Sequence, residues 1–280
     1  MTFRKNLLSL CLLLIAGNAG AATRNAASLG IAKALQQAAN GDTVLIPAGT
    51  YTAPVGTTYL IRSNITILGP TQGTATLVNI RLFFETPTVS ISNLTLQEKD
   101  CYSNEQNLAA CQPSTPMIVL GAAGYPLRSA TLSSLKLNYT RAYTGIAMGY
   151  DQTENVLLSG IQISDGDMSG VTIYQGQNIE LNGVSITGST STWVDDGIAV
   201  TSYLGPISGV TITNSHASYT ADLIGFGAQM KYPMSYITVE NSDCSHVWYC
   251  LLTKTSIASQ QGQSQQADIN GFSVFNLKSH

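Results

Sequence analysis

Short strands that recur along the chain restrict its fold more than any other feature. One series reads Asn64-Ile-Thr-Ile67, Asn93-Leu-Thr-Leu96, Ser134-Leu-Lys-Leu137, Gly160-Ile-Gln-Ile163, Gly183-Val-Ser-Ile186, Gly209-Val-Thr-Ile212, Tyr236-Ile-Thr-Val239 and Gly271-Phe-Ser-Val274, with members mostly 23 to 29 residues apart. A second series interleaves with it: Thr144-Gly-Ile-Ala-Met148, Ser169-Gly-Val-Thr-Ile173, Asp196-Gly-Ile-Ala-Val200 and, less clearly, Ile224-Gly-Phe-Gly-Ala228 and Cys250-Leu-Leu-Thr-Lys254. Each member alternates apolar and small polar residues, so one face turns inward and the other outward. Two or three short strands per repeat of this length predict a solenoid of β-coils. β-branched residues at period two, and no helical spacing after residue 40, disfavour helical repeats. Asp165, Gly188, Asn214 and Asn241 each stand five residues after the first position of a coil, and all tolerate the left-handed backbone of a tight corner.

The start of the chain carries its own signals. Residues 1–22 read as a signal peptide: Arg4 and Lys5, the apolar run Leu7 to Ile15, and the small-residue site Ala19-Gly20-Ala21. The apolar run is too short to span a bilayer, so a secreted, extracellular protein with no membrane span is expected. The mature part, 23–280, shows no domain boundary and reads as one domain. Ser28 to Asn40 has the spacing of a short amphipathic helix stopped by Gly41, and the strand Thr43 to Ile46 follows it. A helix before the first coil would cap an otherwise open solenoid end.

Charged residues are only 10% of the chain and the formal net charge is −3. That balance lacks the basic footprint of a nucleic-acid binder and suits a neutral or weakly charged polymer as partner. Export makes two local disulfides the simplest pairing, Cys101 with Cys111 and Cys244 with Cys250; free buried thiols are the alternative. No cysteine pair has zinc spacing with a histidine. Asn64, Asn93 and Asn138 match the glycosylation acceptor pattern, but each also stands where a turn favours asparagine.

Chemistry concentrates in Trp193-Val194-Asp195-Asp196-Gly197-Ile198, two adjacent carboxylates at a strand start. Neighbouring side chains on a regular strand point to opposite faces, so two outward aspartates need a bend or bulge, which Gly197 would ease. A plain turn before Gly197 explains the same residues. Trp193, Tyr203, Tyr219 and Tyr232 are candidate sugar-stacking rings or packing residues, and Lys231 a candidate substrate contact. His216 and His246 read as turn or surface residues.

With the coils laid out, the chain resembles the pectin-lyase-like superfamily of right-handed parallel β-helices. Gly41-Asp42-Thr43-Val44-Leu45-Ile46-Pro47-Ala48-Gly49-Thr50-Tyr51 is similar to that superfamily's usual first coil. The resemblance implies an all-β, single right-handed parallel β-helix with a short N-terminal capping helix. Residues 166–255 look most like polygalacturonase-type glycoside hydrolases, which carry an Asp-Gly, an Asp-Asp pair, a Gly-His-Gly and an Arg-x-Lys. Asp195-Asp196-Gly197-Ile198 matches the pair. Gly225-Phe226-Gly227 stands where Gly-His-Gly would be, and Leu252-Thr253-Lys254 keeps only the lysine. The first Asp-Gly falls on Ser169-Gly170, which leaves Asp165 or Asp167 as the third carboxylate.

The resemblance implies inverting hydrolysis of a pectin-type polyuronide, with Asp195 as general acid, Asp196 in the base and Lys254 on a uronate carboxylate. No cofactor is expected. A calcium-assisted lyase is the second reading, with Asp165, Asp167, Asp195 and Asp196 around the ion and Arg141 or Lys254 as base. A non-catalytic glycan-binding β-helix is the third. The expected partner is an extracellular polysaccharide, and a monomer is expected.

Overall fold

A computed structural model describes residues 20–98, 115–138, 144–164, 169–188, 194–226, 230–253 and 269–280. The backbone of Asp195 is among them. The signal-peptide residues, Arg141, Asp165, Asp167, Trp193, Lys254, Cys101 and Cys111 lie outside the described residues.

The chain is nearly all β and winds into a parallel solenoid of about seven turns, the expected parallel β-helix. Its strands form three ladders. Ladder A runs through Thr43–Leu45 and Ile65–Leu68, takes the first parts of Thr88–Gln97, Ser129–Asn138, Glu154–Ser164 and Gly176–Thr187, and continues through Ile207–Thr213, Met234–Glu240 and Ile269–Phe275. Ladder B starts with the first parts of Gly49–Ile61 and Ala75–Phe84, takes the second parts of those four long strands, then His216–Ser218, Asp243–Ser245 and Lys278–Ser279. Ladder C takes the second parts of Gly49–Ile61 and Ala75–Phe84, then Ile118–Leu120, Thr144–Met148, Ser169–Ile173, Val194–Val200, Thr220–Phe226 and Tyr249–Thr253. Inward residues such as Ile91, Leu132, Leu158, Leu181 and Ile212 are wholly buried, and they stack coil upon coil into one continuous core.

Corners explain why the sequence pattern was so regular, and where it misled. Two columns of left-handed residues run along the solenoid. Asn155, Asn178, Gly209, Tyr236 and Gly271 lie within ladder A. Asn93, Ser134, Gly160, Gly183, Asn214, Asn241 and Asn276 mark the passage from ladder A to ladder B. Gly160 and Gly183 in one column and Gly209 and Tyr236 in the other precede the same apolar-polar-apolar triplet. The first sequence series therefore merged two columns, with Gly160 and Gly183 on one and Gly209 and Tyr236 on the other. Asn214 and Asn241 are left-handed as expected, but in the coil of Gly188 that role falls to Gly183 (φ 70°).

The N-terminal helix is two short helices, Ala26–Leu29 and Ile31–Gln36, and not one helix from Ser28 to Asn40. Asn25 caps the first by accepting from the Ala27 amide at 2.8 Å. Gly30 then takes φ 78°, ψ 146° and breaks the run. Ala26, Ala34 and Leu35 are buried, so the pair still covers the first coil.

Asp42 fastens this cap. Its carboxylate accepts from the Ala39 amide at 2.9 Å, the Ala22 amide at 2.8 Å and Arg24 Nε at 2.6 Å. Those bonds, the Ala39 amide foremost, lower its pKa from 3.8 to about 2. A depressed carboxylate pKa contributes stability that is complete above the unfolded value and lost as pH falls through the folded one. Measured against the intrinsic rate at each pH, hydrogen exchange of residues 20–42 should therefore quicken as pH drops from about 4 to about 2. Asp42→Asn should show the quickened state at neutral pH, and equal protection in both proteins would contradict the latch.

At the other end, Phe272 and Val274 stack on Ile237 and Val239 yet remain 36% exposed, and Phe275 is 58% exposed. Cys244 and Cys250 form the expected disulfide, with Cα atoms 5.6 Å apart. Among the described residues no helix is long and apolar enough to cross a membrane.

Candidate functional site

Asp195 and Asp196 lie on the ladder C strand Val194–Val200. Regular alternation with Ile198 and Val200, both wholly buried, would point Asp196 into the core. The packing shows otherwise. On the next coil Ile224 and Phe226 face the core, so Gly225 between them faces outward. A Cβ built on Gly225 would stand 2.9 Å from Asp196 Cγ and Oδ1. The Asp196 carboxylate thus lies on the outer face, reaching across to the following coil.

The backbone of the next coil packs closely on Gly197. A Cβ there would stand 2.7 Å from the Leu223 carbonyl oxygen, which excludes any side chain without movement. Gly170, the equivalent residue one coil earlier, would put its Cβ 2.7 Å from Ile186 Cδ1 in the core and 2.8 Å from the Gly197 carbonyl oxygen. The glycine fills the inward slot, and the residue before it turns out. Thr144 repeats the geometry two coils before Asp196. Its Oγ1 lies 3.3 Å from Thr172 Oγ1, and Thr172 shares an outward column with Ala147, Ala199 and Gly225.

Thr144, Ser169, Asp196, Asp222 and Tyr249 therefore occupy one position on successive coils. Asp222 was missed in the sequence. The series had placed Ile224 at the position Asp222 holds, two residues late, and Cys250 where Tyr249 stands, one late. The match of Asp222-x-Ile224 to Asp196-x-Ile198 was the available signal. The carboxylate lacking at Ser169 thus reappears one coil beyond the Asp-Asp pair. Asp222 is fully buried and Asp196 is 6% exposed, so the site is recessed. Its floor is small-chained: Ala147, Thr172 and Ala199 are 0–4% exposed.

Where ladder C turns toward ladder A, tyrosines accumulate on successive coils. The Tyr150 and Tyr174 rings lie 5.0 Å apart, tilted by 46°. Two expected substrate contacts meet here: Lys231 Nζ sits 3.7 Å from the centre of the Tyr203 ring. Lys231 and Tyr232 donate their backbone amides to the Ser202 carbonyl, and Ser202 Oγ donates to the Tyr232 carbonyl at 2.8 Å. Tyr219 instead stacks on His246 with centroids 4.7 Å apart, and His216 is paired with Asp243 on the next coil. Phe226, at the Gly-His-Gly position, is a core residue in edge contact with Phe272. Among the described residues no group of three metal-binding side chains occurs. Two of the four carboxylates named for calcium, Asp165 and Asp167, lie outside that set.

Fold and site together define a parallel β-solenoid with a recessed carboxylate on one ladder. Among solved structures the chain is similar to a pectin methylesterase mutant in complex with a hexasaccharide, at 12% identity and TM-score 0.43, covering 82% of this chain and 80% of that one. It is also similar to the Agl-KA catalytic domain, at 13% identity and TM-score 0.32, covering 92% and 68%. A third is the A-module of a mannuronan C-5 epimerase of Azotobacter vinelandii, at 12% identity and TM-score 0.23, covering 90% and 99%. At such scores the likeness carries no argument about activity, and the fold rests on the strand pairings above. No family model matches the sequence, and no curated protein matches it.

Proposed function

We propose that the protein is secreted and acts on an extracellular pectin-type polyuronide, hydrolysing its glycosidic bonds at the outer face of ladder C. The observation that carries this is the turning-out of Asp196 at Gly197, next to Asp195 and in register with Asp222. In this reading Asp195 donates its proton to the leaving oxygen as the glycosidic bond breaks. Asp196 takes the proton of the water that attacks the anomeric carbon, and Asp222 stands in register with it on the next coil. The floor carries only short side chains, and the Tyr203–Lys231 pair offers a ring face and a cation for a uronate. Polygalacturonate separates the reactions. Hydrolysis releases reducing ends with no ultraviolet absorbance, whereas a lyase product absorbs; absorbance would overturn the proposal.

A second reading, a solenoid that binds glycan without cleaving it, is favoured by the burial of Asp196 and Asp222 and by Phe226 in the core. It requires retained polymer binding with neither product.

A further inference from the structure

Ladder B carries a surface that the ladder C site does not use. In register along its outer face stand Thr76, Thr95, Lys136, Gln162 and Ser185, one per coil. Beside them run Gln97, Asn138, Ser164 and Thr187. Together they line an open groove of about 350 Å³. Coils repeat at about 4.8 Å, so this row extends on the order of 20 Å along the solenoid.

The side chains of this row differ from the other polar columns in one respect. Elsewhere stacked amides bond to each other: Asn178 donates to Asn155 at 3.3 Å, Asn214 to Asn182 at 3.0 Å and Asn276 to Asn241 at 2.8 Å. Gln97, Lys136, Gln162 and Ser185 have no side-chain hydrogen bond or ion pair among the described residues. Their donors and acceptors face the groove unmatched. Lys136 is its one charged group and is exposed.

We infer that the outer face of ladder B is a binding site for a linear, hydroxyl-rich acidic polysaccharide laid along the solenoid axis, separate from the carboxylate site on ladder C. Evenly spaced hydroxyls and amides exchange hydrogen bonds with successive sugar hydroxyls. Lys136 takes a carboxylate as a point charge. The inference rests on the polysaccharide reading above for its ligand class, and not on catalysis.

Affinity electrophoresis of the full chain in gels containing polygalacturonate, with hydroxyethylcellulose as the neutral control, tests it. Lys136→Ala with Gln162→Ala should weaken retardation by polygalacturonate at least about tenfold while product release from a short oligogalacturonide is unchanged. Gln162→Lys should tighten retardation several-fold and steepen its dependence on salt. Asp196→Asn should leave retardation as it is. Full retardation in the double variant, no gain with Gln162→Lys, or equal retardation by the neutral polymer would overturn the inference. A wild type that binds through Lys136 but releases no product would sink the hydrolysis reading and leave this one standing.

Discussion

Asp196→Asn is expected to lower product release from polygalacturonate by about 10²–10⁴-fold, the usual contribution of a positioned acid or base. The substitution keeps the shape of the side chain that packs over Gly225, so the coil should keep its register and the thermal midpoint should barely move. Polymer binding should also persist. Asp222→Asn is expected to act through Asp196 and to lower kcat with little change in KM. Turnover in Asp196→Asn within a factor of a few of wild type would remove Asp196 from the chemistry.

Glu98→Ala is expected to destabilise the fold by about 3–5 kcal/mol, the usual cost of breaking a buried ion pair from one side. Glu98 Oε1 lies 2.5 Å from Arg81 Nη2, and their side chains are 3% and 2% exposed. Removing the carboxylate takes from the buried guanidinium the counter-charge 2.5 Å away. Replacing both, Arg81→Met with Glu98→Leu, should recover most of the loss, because paired apolar groups of similar volume avoid the desolvation of either charge. Urea unfolding of the single and double variants measures this. A double variant as unstable as Glu98→Ala would show that the pair contributes more than it costs to bury.

The solenoid was legible because Ile, Val and Leu alternate with small polar residues on every coil, and period two survives any error in pairing. Register was less legible. Asn64 and Gly209 belong to one column and Asn93 and Gly183 to another, yet each opens the same triplet. Only the parallel pairings separate them. The same blur hid Asp222, whose following residue is Leu223 and not the glycine that marks Gly170 and Gly197. Leu223 fills from its side chain the inward slot those glycines fill with backbone. Nothing local in the sequence marks Arg81 and Glu98, 17 residues apart, as a pair that closes in a dry place. The break at Gly30 was readable from Asn25 as a cap and Gly30 as a stop, but the apolar spacing through Leu29 and Ala32 masked it.

A cross-link measures directly whether Asp196 faces outward over the next coil. In Asp196→Cys combined with Gly225→Cys the new sulfurs should meet, because a Cβ on Gly225 stands 2.9 Å from the Asp196 Cγ position that the cysteine sulfur would take. Peptide mapping without reductant should show that pair joined under mild oxidation, while Asp196→Cys with Ile224→Cys, whose partner side chain faces the core, should remain unjoined. Joining in the second protein and not the first would place Asp196 inside the solenoid and end the account of a ladder C site.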